Sequence, residues 1–495
     1  MVQGSIETMK INDLLNQYSR VIAWGTGNYY YKFRNCLPGQ IDYFVDNDSE
    51  KWQSVLEGKW IFSPSVLKKE KIEGTLIIVC NNYFDEVTIQ LQDYGEFDVI
   101  DIVNIAIVRE NEQDVGCRIG IQEQDTDNLF KSVLICAGIH ALWQRNGARK
   151  FIDGQMAVLH NHGYQTVEAA PLRYLKKGSY KENYLMISKN RIYIGLFTAE
   201  EFVENYVYEA VIIHSLYYGY TVLEQLTVSR VIRGKVLYYL HDYFILCRNR
   251  FLFYENKLCL NAKNRLSCHK CKEADSQREI LKFHREFFRK SGTVLIAPSL
   301  DTKERVERFY RRTPIKVIPH LTFKEEKFLR KKHQKLKIAY LGVAMWQKGW
   351  DSFCDIVRNY YVDYEFFCIG DCEERNQKEY VKYVSVELGV EKCLTMREAL
   401  QRYEIDIAYV GSISPETYSY TYYEACEAGC FVITTDKSGN VSRQVEEDMT
   451  GRAFRNMDEM NAWLRCIDKV KVDVASLDKR ITDVRADESF IELIG

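Results

Sequence analysis

The stretch that decides the fold runs from residue 414 to residue 440 and reads SPETYSYTYYEACEAGCFVITTDKSGN. Its polar start predicts a loop, EACEAG predicts a helix that ends at Gly429, and the apolar run after it predicts a buried strand. Seven residues separate Glu416 from Glu424. A helix that begins at 417–420 points unpaired backbone N–H groups at one place, where a diphosphate can bind. Glu424, about two turns after Glu416, can then reach another part of the same ligand, such as ribose hydroxyls.

Apolar runs on both sides of this stretch predict that the fold class is α/β. The C-terminal half contains four buried-strand runs that alternate with helical patterns, KIAYLG (337–342), YEFFCIGD (364–371), DIAYVG (406–411) and CFVITTD (430–436). The region before it contains further runs of strand length, KSVLICAG (131–138), EAVIIHSLYYG (209–219), GKVLYYLHDYFILC (234–247), TVLIAPS (293–299) and IKVIPH (315–320). We therefore expect two successive α/β units with a cleft between them, and a ligand at the carboxyl ends of the strands.

A third α/β unit is predicted at the N-terminus. RVIAWGTGNYYYKF from residue 20 is typical of a strand, a Gly-x-Gly turn and a helix, and two more buried strands follow in IDYFVDND and TLIIVCNN. Gly25 and Gly27 would let backbone N–H groups meet an anion, and Asp46 could meet a ribose. The third glycine of the dinucleotide fingerprint is absent, because Tyr30 stands there. Nucleotide binding and a purely structural turn both remain open for this unit.

Two polar segments mark the domain boundaries. The first lies near 112–130, and the second is the basic stretch 324–337, which contains seven Lys or Arg against two Glu. A solvated linker and a contact with an anionic membrane surface both fit this charge. The boundaries predict an N-terminal Rossmann-like domain, an N-terminal lobe, a C-terminal lobe and a C-terminal tail, at residues 1–112, 131–322, 335–475 and 476–495.

Composition narrows the function classes. The 495 residues carry 67 Lys and Arg against 69 Asp and Glu, and this formal net charge of −2 argues against nucleic acid as a partner. We find neither a signal sequence at the start nor an uncharged apolar run long enough to span a membrane. We therefore expect a cytoplasmic protein, with peripheral contact to the inner face of the cell membrane as a further option. Fifteen cysteines, an odd number spread along the chain, fit reduced thiols.

The pattern E-x7-E, followed by an A-x-x-x-G helix and a strand, resembles the signature of the family 4 retaining glycosyltransferases of GT-B fold. The resemblance covers about residues 131–465. It implies two Rossmann-like lobes that face a cleft, here preceded by the small N-terminal Rossmann-like domain. It also implies transfer of a sugar from a UDP- or GDP-linked donor to a glycan or a lipid-linked acceptor, with retention, in surface polysaccharide biosynthesis. That chemistry requires no cofactor.

Three further segments resemble the same family. YLGVAMWQKGWDSF (340–353) is similar to the donor-phosphate segment, and LHDYFILC (240–247) is similar to the segment in which a His follows a buried strand. RNGARKFIDG (145–154) resembles the loop and helix after the first strand of the N-terminal lobe. These matches place residues from distant parts of the chain at one expected donor site.

The resemblance implies a role for each matched residue. Catalytic roles fall to Glu416, His241 and Lys348, of which Lys348 would neutralise the leaving diphosphate. Donor binding is implied for seven residues, namely Gly147, Gly342, Lys348, Tyr418, Ser419, Tyr420 and Glu424. The chain departs from the family pattern where Val343 replaces a basic residue and where Ser419 replaces a glycine.

Two other features have more than one interpretation. His214 ends a predicted strand and either lines the acceptor pocket or has a structural role. Four cysteines form the pattern C-x11-C-x8-C-x2-C and comprise Cys247, Cys259, Cys268 and Cys271. They are either the ligands of a structural zinc or ordinary loop cysteines.

Two rival functions remain open from the sequence. A catalytically silent protein of the same fold would bind glycans or another transferase, and Val343 together with the lone Gly147 favours it. An NAD-dependent oxidoreductase or epimerase would act through the N-terminal unit, which lacks a recognisable Tyr-x-x-x-Lys pair.

Overall fold

A computed structural model gives the structure of the chain in two compact units. The first unit contains residues 1–144, 159–236 and 494, and the second contains 145–158, 237–493 and 495. The structure describes residues 10–37, 39, 41–81, 83–116, 132–138, 147–176, 184–198, 208–214, 232–247, 249–254, 257–259, 274–331, 333–370, 378–386 and 394–494.

The first unit begins with a seven-stranded sheet. In spatial order its strands are Val55–Leu56, Lys59–Phe62, Tyr43–Val45, Arg20–Trp24, Thr75–Val79, Asp98–Asp101 and Tyr174–Leu175. The five inner strands are parallel, and each of the two edge strands is antiparallel to its neighbour. The accompanying helices are Ile11–Leu15, Asn28–Phe33, Arg34–Cys36, Ser49–Lys51, Pro64–Lys69, Phe84–Leu91 and Ile102–Gly116. The edge strand Tyr174–Leu175 comes from a part of the chain far beyond residue 112.

A second sheet of the first unit contains strands from 132 onward. Its spatial order is Ile192–Thr198, Tyr184–Lys189, Gln165–Pro171, Ser132–Ala137 and Tyr208–His214. The last three strands are parallel, whereas the first two run antiparallel to their neighbours. The buried runs VLICA and AVII lie in the parallel strands Ser132–Ala137 and Tyr208–His214, as expected for parallel strands covered on both faces.

The second unit begins with the helix Gly147–Asn161, most of which lies in this unit, and the end of the strand Ile232–Tyr239. Residues 237–239 pair in parallel with Val294–Ala297, which pairs in parallel with Ile315–Val317. A short hairpin joins Phe253–Tyr254 to Lys257–Leu258. The helices here are Ala274–Ser291 and Leu300–Glu307.

A six-stranded, fully parallel sheet completes the second unit. Its spatial order is Val381–Val384, Glu365–Ile369, Lys337–Leu341, Ile407–Tyr409, Phe431–Thr435 and Gly451–Phe454. The helices are Trp346–Lys348, Trp350–Tyr360, Met396–Arg402, Tyr420–Ala428, Asp436–Ser438, Asn440–Glu447, Met457–Arg465, Ile467–Ser476 and Ser489–Leu493. Alternate strand residues enter two cores, since Ile338 and Tyr340 belong to one and Ala339 and Leu341 to the other. The predicted α/β class is therefore confirmed.

The basic stretch takes part in this second unit. Its first residues belong to the strand Leu321–Lys327, which pairs antiparallel with Lys479–Ala486 near the end of the chain. Several of its cations contact carboxylates, including Lys324 with Asp483 at 3.0 Å, Arg330 with Asp406 at 3.8 Å and Lys331 with Glu404. Within the described ranges, no helix has the length and apolar character needed to cross a membrane.

Candidate functional site

The loop after the strand Ile407–Tyr409 is hydrogen-bonded to the segments that follow both neighbouring strands. On one side the amide of Ile413 and the hydroxyl of Ser412 donate to the carbonyl of Gln347, at 3.1 and 3.2 Å. On the other side the amide of Glu416 donates to the carbonyl of Ser438 at 3.0 Å. Parallel strands end at the same edge of a sheet, so these bonds hold Glu416 at the edge where ligands bind in open α/β sheets.

Two glycines allow these loops to approach each other. Gly349 has φ +80°, and a Cβ there would lie 2.1 Å from the carbonyl oxygen of Gly411. Gly439 has φ +67°, and a Cβ there would lie 2.7 Å from the Cα of Pro415. No other residue fits without displacing backbone, so both glycines are required by the local geometry.

Lys348 and Glu416 meet at this edge. Lys348 ends the short helix Trp346–Lys348, and its Nζ lies 2.5 Å from Oε1 of Glu416. The lysine side chain is 48% exposed, whereas the glutamate side chain is 14% exposed. A pair this exposed contributes little to stability, so the ammonium can be shared with an incoming anion at small cost.

The helix Tyr420–Ala428 points its N-terminus at the same region. Its first flanking residue is Ser419, whose side chain makes no capping hydrogen bond to the helix. A Cβ at Gly342, which has φ +97°, would lie 3.8 Å from Thr421, and a Cβ at Gly147 would lie 3.4 Å from Tyr420. Glycines from two different loops thus border the first turn of this helix and leave room beside it.

Glu424 pairs with a lysine from the helix Gly147–Asn161. Nζ of Lys150 lies 2.9 Å from Oε1 of Glu424 and 5.3 Å from the centroid of the Tyr420 ring. The Lys150 side chain is 44% exposed and that of Glu424 is 14% exposed. Two Lys–Glu pairs therefore accompany the start of this helix, one at Glu416 just before it and one at Glu424 in its second turn.

An aromatic cluster connects this helix to the segment around His241. The ring of His320 lies 4.2 Å from that of Tyr418 and 4.0 Å from that of Phe151, and Phe151 lies 5.2 Å from His241. Burial lowers the pKa of His241 to about 4, so its imidazole is neutral at pH 7. The hydroxyl of Thr417 donates to the carbonyl of His241 at 2.7 Å. This bond fixes His241 beside the loop that carries Glu416.

The structure therefore brings most predicted residues together. Glu416, Lys348, Glu424, Gly147, Gly342, His241 and residues 418–420 all belong to the second unit. His214 belongs to the first unit, where it is fully buried at the end of the strand Tyr208–His214.

Only half of the predicted cysteine group is described. Cys247 and Cys259 are partly exposed, whereas Cys268 and Cys271 lie outside the described residues. In the part of the chain that the structure describes, no three His, Cys, Asp or Glu side chains are grouped so that they could hold a metal ion.

At the N-terminal Gly-x-Gly turn, the negative group that accepts hydrogen bonds from the turn is the carboxylate of Asp46, which belongs to the chain itself. The amide and hydroxyl of Thr26 donate to Asp46 at 2.9 and 2.5 Å, and the amide of Asp48 donates to the same carboxylate at 3.0 Å. Burial by itself raises the pKa of Asp46, but these hydrogen bonds and the Lys51 ammonium outweigh it and lower the pKa. Asp46 thus has a structural partner in this turn.

The carboxyl edge of the same sheet also contacts a later segment of the first unit. Arg173 forms an ion pair of 3.0 Å with the buried Asp101, and its amide donates to Asn104 at 3.1 Å. Next to it, Tyr174–Leu175 extends the sheet as an edge strand. Protein groups therefore occupy part of the edge where a Rossmann-like sheet binds nucleotides.

Sequence reasoning missed three of the residues that shape the site. Lys150 was recognisable only as a cation in the first turn of a helix. Ser299 donates to the carbonyl of Thr417 at 3.0 Å, and no motif indicates this bond because the partners lie 118 positions apart in the sequence. His320 follows the strand Ile315–Val317 just as His241 follows Ile232–Tyr239, so its position at a strand end was an available signal.

Parts of this chain are similar to known proteins. Residues 17–101 match the family model described as C2185-like, N-terminal. A search of curated protein sequences finds no significant match. Among solved structures, the chain is similar to sucrose-phosphate synthase from Thermosynechococcus elongatus, with 12% identity, a TM-score of 0.49 and coverage of 70% of this chain and 92% of that chain.

Two other solved structures match over more of the chain. Anabaena HepE in complex with UDP has 11% identity and a TM-score of 0.38, and the match covers 93% of each chain. TarM has 10% identity and a TM-score of 0.40, with coverage of 93% of this chain and 94% of that chain.

Proposed function

We propose that this protein is a glycosyltransferase that moves a sugar from a UDP- or GDP-linked donor to a glycan or lipid-linked acceptor, with retention at the anomeric carbon. The observation that carries the proposal is the arrangement around the helix Tyr420–Ala428, where Glu416 just before the helix pairs with Lys348 and Glu424 in its second turn pairs with Lys150. Such a site offers cations and backbone donors to a diphosphate, and carboxylates to the hydroxyls on either side of it.

The proposed reaction gives a role to each of these residues. As the bond between the anomeric carbon and the diphosphate breaks, negative charge grows on the leaving oxygen, and Lys348 with the helix N-terminus stabilises it. Glu416 accepts a hydrogen bond from a hydroxyl of the donor sugar, and Glu424 accepts hydrogen bonds from the ribose hydroxyls. The acceptor oxygen bonds to the anomeric carbon on the face that the diphosphate leaves, and its proton passes to the departing diphosphate.

His241 takes a different part in this proposal. Because its imidazole is neutral and lies beside the loop that carries Glu416, it can donate or accept a hydrogen bond near the anomeric carbon without bringing a full charge. A place in surface polysaccharide assembly belongs to the same proposal and is supported by the sequence resemblance. Peripheral contact with an anionic membrane surface belongs to it too and is supported by the charge of the basic stretch 324–337.

A thermal-shift panel of nucleotides and nucleotide sugars tests the proposal. We expect one nucleoside diphosphate and its sugar conjugates to raise the melting temperature of the wild type. The rise should shrink or disappear in Glu424→Ala, because the ribose contact is lost. The matched control is Glu325→Ala, which removes a carboxylate from an exposed pair with Lys479. A panel with no shift for any nucleotide would refute the proposal.

A catalytically silent protein of the same fold is the second candidate. The observation in its favour is Val343, which is 49% exposed where the family pattern has a basic residue. Stabilisation by a nucleotide without any turnover of its sugar conjugates, tested with several acceptors, would favour this candidate over the enzyme.

A further inference from the structure

The helix Gly147–Asn161 contributes to the site a cation to which the sequence resemblance assigns no role. Lys150 is the fourth residue of this helix, and its partner Glu424 lies 274 positions later in the sequence. Its ammonium also lies above the face of Tyr420, the first residue of the helix Tyr420–Ala428. The lysine is therefore held by two contacts, one ionic and one cation–π.

Some N–H donors of the Lys150 ammonium group are available to a ligand. An ammonium group has three N–H donors, and the bond to Glu424 takes one of them. The side chain is 44% exposed, so the remaining donors can reach a bound ligand. Gly147, one turn before Lys150, lies against Tyr420 and keeps the space beside the first turn of the second helix free of a side chain.

Charge explains why a second cation is useful here. A nucleoside diphosphate brings more than one negative charge, and Lys348 already balances Glu416. Glu424 would repel the same diphosphate if it stood alone. A lysine bound to Glu424 offsets this repulsion, and its remaining N–H donors can form charge-assisted hydrogen bonds with the phosphate groups.

We propose that Lys150 binds the diphosphate of the donor while it holds Glu424 in place for the ribose. One cation then takes part in binding both the phosphate groups and the ribose. Lys150 also supplies a positive charge to the site, where the family pattern has a basic residue at the position of Val343. This inference rests on the proposed function, because it assigns a further donor-binding residue to the same site.

Calorimetric titration with UDP, UMP, GDP and GMP tests the inference. In Lys150→Met we expect affinity for the nucleoside diphosphate to fall about tenfold or more, since a hydrogen bond to a charged group is lost. Affinity for the matching monophosphate should fall less, so the ratio of the two affinities narrows. Arg149→Met is the matched control, because Arg149 carries the same charge one position earlier and pairs with Asp153 instead. We expect Arg149→Met to keep both affinities.

The outcomes separate this inference from the proposed function. Wild type that binds neither UDP nor GDP refutes the proposed function itself. Wild type that binds one of them, together with a Lys150→Met variant of unchanged diphosphate-to-monophosphate ratio, overturns the role of Lys150 and leaves the proposed function intact. Melting temperatures without ligand report on folding, and Lys150→Gln carries the same expectation if the methionine variant does not fold.

Discussion

Single residues at the proposed donor site are held mainly by charge pairs that water can reach. Lys348 and Lys150 each lie within 3 Å of a glutamate that is far less exposed than the lysine. Exposed pairs of this kind contribute roughly 0–1 kcal/mol to stability. Replacing either lysine should therefore change ligand binding or catalysis far more than folding.

Lys348→Met should lower kcat for sugar transfer by roughly 10²–10³-fold, because a charge that stabilises the departing diphosphate is lost. The melting temperature should change little. Kinetics with a saturating donor measure the effect. Lys382→Met is the control, since Lys382 on the edge strand Val381–Val384 forms an exposed pair of 2.8 Å with Glu365 on the neighbouring strand of the same sheet. An unchanged kcat in Lys348→Met would show that Lys348 does not assist the leaving group.

His284 predicts a pH dependence of stability. It is fully buried beside Tyr238, Phe244 and Phe288, and burial lowers its pKa from 6.5 to about 4. The unfolded chain binds the proton near pH 6.5 and the folded protein only near pH 4. The free energy of unfolding therefore falls as the pH drops through this window, by about 3 kcal/mol for this residue.

Urea unfolding between pH 7 and pH 4 measures this dependence. His284→Leu should give a shallower pH dependence than the wild type. Equal dependence in His284→Leu and the wild type would contradict the account.

Elements with a buried apolar run could be predicted from the sequence. The runs at 337–342, 364–371, 406–411 and 430–436 each contain a strand of the C-terminal sheet. The outer strands Val381–Val384 and Gly451–Phe454 were not predicted, because most of their residues are only partly buried and no apolar run marks them. Lys479–Ala486, within the predicted tail, is a strand for which the same reason holds.

The residues of the candidate site likewise divide into those that could be predicted from the sequence and those that could not. Glu416, Lys348 and Glu424 could be named from local motifs, because each belongs to a short pattern at a strand end or helix start. Lys150 and Ser299 could not, because their partners lie 274 and 118 residues away and only the folded chain brings them together. Long-range pairing carries no local signal.

The ion pair between Arg173 and Asp101 lies next to the edge strand Tyr174–Leu175, so a substitution there tests how this element is attached to the N-terminal sheet. Arg173→Met leaves the carboxylate of Asp101 buried without its ion pair, so the free energy of unfolding should fall by about 3–5 kcal/mol. Arg34→Met is the control, because Arg34 pairs with Glu57 at an exposed position and its loss should cost roughly 0–1 kcal/mol. Denaturant unfolding measures both, and equal losses would contradict a structural role for the Arg173 pair.

At the scale of the whole molecule, the two compact units differ in what they contain. Every residue proposed for donor binding or catalysis lies in the second unit, which includes the short segment 145–158 as well as residues 237–493. The first unit contains the N-terminal sheet, where Asp46 and Arg173 have structural partners. These contacts therefore argue against an NAD-dependent reaction at that sheet.

Incubation of the purified protein with UDP- and GDP-sugars and candidate acceptors, followed by NMR, is the most direct test of the central claim. We predict release of a nucleoside diphosphate from one donor class, with a product of the donor's anomeric configuration, and a large loss of this activity in Glu416→Gln. Failure of the wild type to consume any nucleotide sugar, or a product of inverted configuration, would contradict the account.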